Sequence, residues 1–187
     1  MHLEGVRMAL DLSHIKIMLV EDDTSMRMMI KQLLFAFEVG QVDEYASATD
    51  ALSEIIGVQP DIVISDWMME PMDGLTFARQ IRILKDKVVR KTPIIMLTGH
   101  TERRRVEQAR DSGVNEYLAK PVSTNSMYAR LQAVLERPRP FIDAKTYHGP
   151  DRRRKQIPLP DDRPDRRNAG AGKESGDKPI FEISNED

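Results

Sequence analysis

The sequence predicts an α/β protein with a doubly wound, five-stranded parallel sheet spanning residues 14–137. Two observations carry that prediction. Short aliphatic and β-branched runs alternate with longer stretches of helical periodicity. The strongest of those runs are apolar almost without interruption, as strands covered on both faces of a parallel sheet must be.

The clearest strands are Ile15-Lys16-Ile17-Met18-Leu19-Val20, Ile62-Val63-Ile64-Ser65 and Pro93-Ile94-Ile95-Met96-Leu97. Weaker runs at Val42 to Ala46 and Glu116 to Leu118 supply the other two. Between them, Met26, Met29, Ile30, Leu33 and Leu34 form one apolar helical face. Leu75, Ala78, Ile81, Ile83 and Leu84 form another, and Met127, Leu131, Val134 and Leu135 a third. Helix starts fall at Thr24 or Ser25, Ser47, Thr101 and Ser123, residue types that cap exposed N–H groups. The methionines of the first helix suit core packing plus an adaptable surface.

Residues 1–13 read as an N-terminal extension, and Pro138 and Pro140 stop the last helix. Residues 138–187 are rich in Pro, Gly, Arg and Asp, with too few apolar side chains to offset the entropy of ordering, so a disordered tail is expected. That tail is too short for a separate DNA-binding module. Basic and acidic side chains, 28 against 30, nearly balance, so any affinity for nucleic acid must be local. There is no cysteine, which excludes disulfides, thiolate metal sites and cysteine nucleophiles. Glu4, Arg7 and Asp11 interrupt the first apolar stretch, so no signal peptide is expected. No run approaches the ~20 apolar residues of a membrane span. A cytoplasmic protein without membrane association is the expectation.

Ligands of a doubly wound sheet collect at the carboxyl ends of its strands. Here the first strand leads into Glu21-Asp22-Asp23, the third into Asp66, the fourth into Thr98-Gly99 and the fifth into Lys120-Pro121. Clustered carboxylates repel unless a cation lies among them or one is protonated. An all-oxygen donor set suits Mg²⁺, which shares a phosphate with a few carboxylates. An aspartate can attack phosphorus and form an acyl phosphate. Lys120 and the Thr98 hydroxyl would then bind phosphoryl oxygens, and Gly99 leaves room beside them. Taken singly, each residue is ordinary, since an aspartate at a strand end is commonly a cap. Their order, one group per strand end, is not.

In these motifs the chain resembles the CheY-like (flavodoxin-like) receiver domains of two-component signalling, over roughly residues 14–137. The segment Asp66-Trp67-Met68-Met69-Glu70-Pro71-Met72-Asp73-Gly74 is similar to the family's loop after its phosphoacceptor. The resemblance implies Asp66 as phosphoacceptor. It implies Asp22, Asp66 and the Met68 backbone carbonyl as Mg²⁺ ligands, with Glu21 acting through water. Glu21-Asp22 is preferred to Asp22-Asp23 because of its distance from Met26-Arg27. Thr98, Lys120 and Gly99 would surround the phosphoryl group, Tyr117 would be the switch aromatic, and Lys120-Pro121 would be cis. A thioether at Met68, where many receivers carry a polar side chain, cannot orient an attacking water.

The implied protein is a single-domain response regulator, phosphorylated by a histidine kinase or phosphotransfer protein. It would bind a downstream protein through the face of its fourth helix, fifth strand and fifth helix, where Arg103-Arg104-Arg105 falls. It would not be a turnover enzyme beyond its own phosphotransfer and dephosphorylation. His100 reads as a loop residue, and Trp67 as packing or a reporter beside the site. Flavodoxin-like cofactor binding fails, because Glu21-Asp22-Asp23 would repel an anionic cofactor. An alternative is a nucleotide-sensing adaptor. Guanidinium groups stack on purines and fork onto guanine or phosphate, and Arg152, Arg153, Arg154, Arg163, Arg166 and Arg167 would serve a cyclic di-GMP ligand. The tail is similar to arginine-rich extensions of some CheY-like proteins that bind that nucleotide.

Overall fold

A computed structural model describes residues 10–99, 112–144 and 147–151. Five parallel strands, β1 (Lys16–Val20), β2 (Gln41–Tyr45), β3 (Ile62–Asp66), β4 (Ile94–Thr98) and β5 (Glu116–Ala119), form one sheet in the order β2-β1-β3-β4-β5. The helices are α1 (Thr24–Ala36), α2 (Ala48–Val58), α3 (Gly74–Ile83) and α4 (Thr124–Glu136), with a short 3-10 turn at Val89–Lys91. The helix start expected at Thr101, together with His100 and Arg103-Arg104-Arg105, lies outside the described residues.

Strict alternation along the central strands builds two cores. Met18, Val20, Val63, Ile94 and Met96 face α2 and α3, joined by Ala51, Ile55, Phe77, Ala78 and Ile81. Ile17, Leu19, Ile62, Ile64, Ile95 and Leu97 face the other way, with Ile30 and Leu34 of α1 and Met127, Leu131 and Val134 of α4. All of these are buried, so both faces of the sheet are dry and each strand end is held from two sides. The strand order reverses direction between β1 and β3, which opens a crevice at their carboxyl ends. Among the described residues no helix is long and apolar enough to cross a membrane.

Two expectations are corrected. The cap of α1 is Asp23, whose carboxylate accepts the Met26 N–H at 2.7 Å, rather than Thr24 or Ser25. At the N-terminus, Leu12 is 1% exposed within the α1–α4 core, and the Leu10 N–H donates to the Tyr128 hydroxyl at 2.9 Å. The tail is not disordered from residue 138. Strands β6 (Phe141–Ala144) and β7 (Tyr147–Pro150) pair antiparallel, and the Asp151 N–H closes the pair onto the Pro140 carbonyl at 2.8 Å.

What holds this pair is a cation whose partners lie far away in sequence. Arg82, at the end of α3, is 2% exposed, and burial pushes its guanidinium down to about 9, still protonated at neutral pH. It donates to neutral oxygens only: the carbonyls of Gly113 (3.0 and 2.8 Å), Arg90 (2.8 Å) and Thr92 (2.9 Å), and Asn115 Oδ1 (3.0 Å). Every N–H of the fork is thereby satisfied. The Phe141 ring sits against both Arg82 and Arg90, at 5.8 and 5.6 Å from the guanidinium carbons. Arg90 also pairs with Asp143, which His148 meets from the other side. Gly113 has φ +84°, and a Cβ there would come within 2.8 Å of Arg82 Cγ.

Arg82→Met should therefore lower unfolding free energy by more than about 3 kcal/mol, because several buried carbonyls lose their donors. Phe141→Ala should cost about 1–2 kcal/mol. Urea denaturation checks both; a Phe141→Ala protein as stable as the parent would mean the strand pair is not part of the folded unit.

Candidate phosphoacceptor and metal site

At the crevice, the chain leaves the sheet sharply after Val20. The Glu21 N–H still continues the ladder to the Tyr45 carbonyl at 3.1 Å, but Asp23 is already engaged as the α1 cap. Glu21 and Asp22 are thus left at the strand end, opposite Asp66, the last residue of β3. Carboxylate oxygens of Glu21, Asp22 and Asp66 lie within 4.8 Å of one another. Glu21 is 1% and Asp66 5% exposed, whereas Asp22 faces solvent.

Lys120 reaches this group from the far side of β4. Its Nζ lies 2.9 Å from Glu21 Oε2 and 2.9 Å from Asp66 Oδ1. The Lys120 N–H donates to the Thr98 carbonyl at 2.8 Å, which ties the lysine's backbone to the end of β4. Lys120-Pro121 is cis, and so is Glu70-Pro71. Burial raises the pKa of the Glu21 carboxyl and Asp66 adds repulsion, which the Lys120 hydrogen bond only partly offsets. Burial alone would lower the Lys120 ammonium, but its hydrogen bonds to Glu21 and Asp66 outweigh this and leave its pKa raised. One ammonium against three carboxylates leaves the crevice with an excess of negative charge and room for a hard cation.

The other expected residues stand nearby in sequence and sheet. Thr98 ends β4 and is 2% exposed; Tyr117 lies on β5, half-buried against the α2–α3 core. Among the described residues nothing lies within 4 Å of a Cβ built on Gly99. The Met68 side chain is 59% exposed. Trp67 is 6% exposed and belongs to the core. Of the tail residues, Arg152, Arg153, Arg154, Arg163, Arg166 and Arg167 lie outside the described residues.

Gly74, named in the sequence only as the end of the loop after Asp66, has a steric role beside the site. A Cβ there would fall 2.0 Å from the Asp66 carbonyl oxygen, so only glycine lets α3 begin against the acidic strand end. Its signature was legible: a poor helix former directly after Asp73, whose carboxylate caps α3 by accepting the Thr76 N–H at 2.6 Å.

Carboxylates and a lysine at the switch point, in place of a phosphate-cradling loop, define an α/β domain of the receiver type. The chain belongs to the response regulator receiver family, whose description, Response regulator receiver domain, matches residues 17–132. It is a receiver domain of two-component phosphorelay signalling. It is 29% identical to the chemotaxis protein CheY-3 of Vibrio cholerae over 124 residues, 66% of this chain and 94% of that protein. Among solved structures, V. cholerae CheY4 superposes with a TM-score of 0.61 at 29% identity, over 65% of this chain and 99% of that one. The receiver domain of the Pseudomonas aeruginosa sensor histidine kinase PA1611 gives a TM-score of 0.57 at 28% identity, over 64% and 95% of the two chains. That structure carries a magnesium ion coordinated in its active site cleft. The nucleotide-sensing alternative draws no support from these relatives.

Two outcomes are expected. Gly74→Ala should destabilise by about 1–3 kcal/mol, because the new methyl has to push α3 away from Asp66; urea midpoints measure it. Asp22→Asn should stabilise the metal-free protein by about 0.5 kcal/mol by relieving repulsion at an exposed position. Thermal melts in chelator check the sign.

Proposed function

We propose that this receiver is phosphorylated on Asp66 in a Mg²⁺-dependent reaction. The observation that supports it best is the position of Asp66: at the switch point, grouped with two further carboxylates, and with one oxygen 2.9 Å from the Lys120 ammonium.

The donor set fits a resident Mg²⁺, being all oxygen, short of positive charge and open on the Asp22 side. Asp22, Asp66 and the Met68 carbonyl would hold the ion, with Glu21 acting through water. When bound, Mg²⁺ offsets the charge between an anionic phosphoryl donor and the carboxylate that attacks it. A carboxylate oxygen of Asp66 attacks phosphorus, an O–P bond forms, and the bond to the donor breaks with its electron pair leaving on the donor. Lys120 donates to one phosphoryl oxygen and the Thr98 hydroxyl to another. Because Lys120 starts on both Asp66 and Glu21, its hydrogen bonds must redistribute as the phosphoryl group arrives. Tyr117, on the strand that leads into Lys120, would carry that change to the surface.

The donor on this reading is a histidine kinase or phosphotransfer protein in the cytoplasm, and the output is binding to a downstream protein. The domain turns over no external substrate. Met68 offers no hydrogen bond to an attacking water, so hydrolysis of the acyl phosphate depends on other groups.

Incubation with acetyl phosphate and Mg²⁺ should add one phosphoryl group, seen by intact mass, and change Trp67 fluorescence. Asp66→Asn should abolish both, and chelation of Mg²⁺ should suppress them. Labelling that persists in Asp66→Asn would refute Asp66 as the acceptor.

A further inference from the structure

The convergence of Glu21 and Asp22 is geometrically awkward, and one side chain outside the acidic group accounts for it. Successive residues of a strand point to opposite sides. Yet the carboxylates of Glu21 and Asp22 both come within 4.8 Å of each other and of Asp66. The backbone must therefore bend between them, which takes their carbonyls out of the sheet ladder and leaves them in need of donors. Arg27, the fourth residue of α1, meets that need. Its Nη1 donates to the Glu21 carbonyl at 2.6 Å and stands 3.5 Å from the Asp22 carbonyl.

The guanidinium is itself held from behind. Arg27 Nε lies 3.9 Å from Glu44 Oε2 on β2, and Lys31 Nζ holds the other Glu44 oxygen at 2.5 Å. Glu44 is fixed in turn by its register, opposite Leu19 in the β1–β2 ladder. The side chain of Arg27 is 17% exposed, so it works largely shielded from water. A chain of contacts thus runs from edge strand β2 through Glu44 and Arg27 to the peptide groups that carry Glu21 and Asp22.

From this geometry we propose that Arg27, braced by Glu44, is a positioning residue for the Mg²⁺ site: it sets the bend that brings the Glu21 and Asp22 carboxylates together. The proposal rests on the phosphoacceptor reading above. Arg27 does not touch the ion or the phosphoryl group; it acts through the two carbonyls. Positioning and plain electrostatics make opposite predictions. Removing a positive charge beside three carboxylates should strengthen cation binding if charge is all that matters. Loss of the bend should weaken it.

The test is a Mg²⁺ titration of the full chain by calorimetry and Trp67 fluorescence, with Arg27→Gln, Arg27→Lys and Glu44→Gln beside the parent. Arg27→Gln should raise the Mg²⁺ Kd about tenfold or more, as loss of a partner that orients metal ligands does. Glu44→Gln should raise it less, and the double variant should bind no worse than Arg27→Gln alone. Arg27→Lys restores the charge but not the planar fork, so it should recover only part of the affinity. An unchanged or lower Kd in Arg27→Gln overturns the proposal, even if its melting temperature falls, since a purely structural role would move only the latter. Should Arg27→Gln fail to fold, Glu44→Gln decides alone: a Kd equal to the parent's overturns the bracing. A parent chain that binds no Mg²⁺ would instead remove the phosphoacceptor reading on which the proposal stands.

Discussion

The site depends on one ammonium shared between two buried carboxylates. Glu21 and Asp66 come from strands that are neighbours in the sheet, and both are nearly excluded from water. Burial and the neighbouring Asp66 raise the pKa of the Glu21 carboxyl, and Lys120, 2.9 Å from each carboxylate, only partly offsets this. A bridge of this kind is weak evidence for stability, because desolvating its members costs about as much as their attraction returns. Its value lies in orientation: the Asp66 carboxylate is held in one place with a cation beside it. Asp22, left towards solvent, completes an acidic group that a single lysine cannot neutralise.

Everything around that bridge keeps three strand ends still. The alternation of β1, β3 and β4 between two dry cores means a strand cannot slide by one residue without turning its apolar side chains onto the wrong face. The loops then fix what the strands deliver. Asp23 and Asp73 cap α1 and α3 with their own carboxylates, so each helix begins immediately beside the crevice. Gly74 lets α3 approach the Asp66 carbonyl to a distance that no side chain would tolerate.

Much of this was legible in the sequence because strand ends can be read one residue at a time. An apolar run followed by a carboxylate, a hydroxyl or Lys-Pro gives the element and the polar group at its end, and Glu21, Asp22, Asp66, Thr98 and Lys120 are legible on that basis. What could not be read were interactions between segments far apart in the chain. Lys120 was expected to meet a phosphoryl oxygen; nothing in its neighbourhood reveals that it already spans Glu21 and Asp66. Arg82 sits in a helix that reads as amphipathic, where an arginine is ordinarily on the wet side. Composition misled most at residues 141–150. Sparse apolar content argues for disorder when a segment must build its own core, but this one borrows its binding partners, Arg82, Arg90 and Gly113, from the domain.

The borrowed contacts have a consequence for β5. Among the described residues it is an edge strand of four residues, paired to β4 alone. A cation pins each of its ends. Before its start, Arg82 grips Gly113 and Asn115; after its finish, Lys120 grips Glu21 and Asp66. The two anchors differ in kind. Arg82 bonds to neutral oxygens, so a change of charge in the crevice leaves its partners unaltered. Lys120 bonds to carboxylates, so any new negative charge on Asp66 competes directly for its ammonium. A strand fixed at one end by charge-indifferent bonds and at the other by charge-sensitive ones can respond only at the second. Tyr117 lies on β5 between these two anchors.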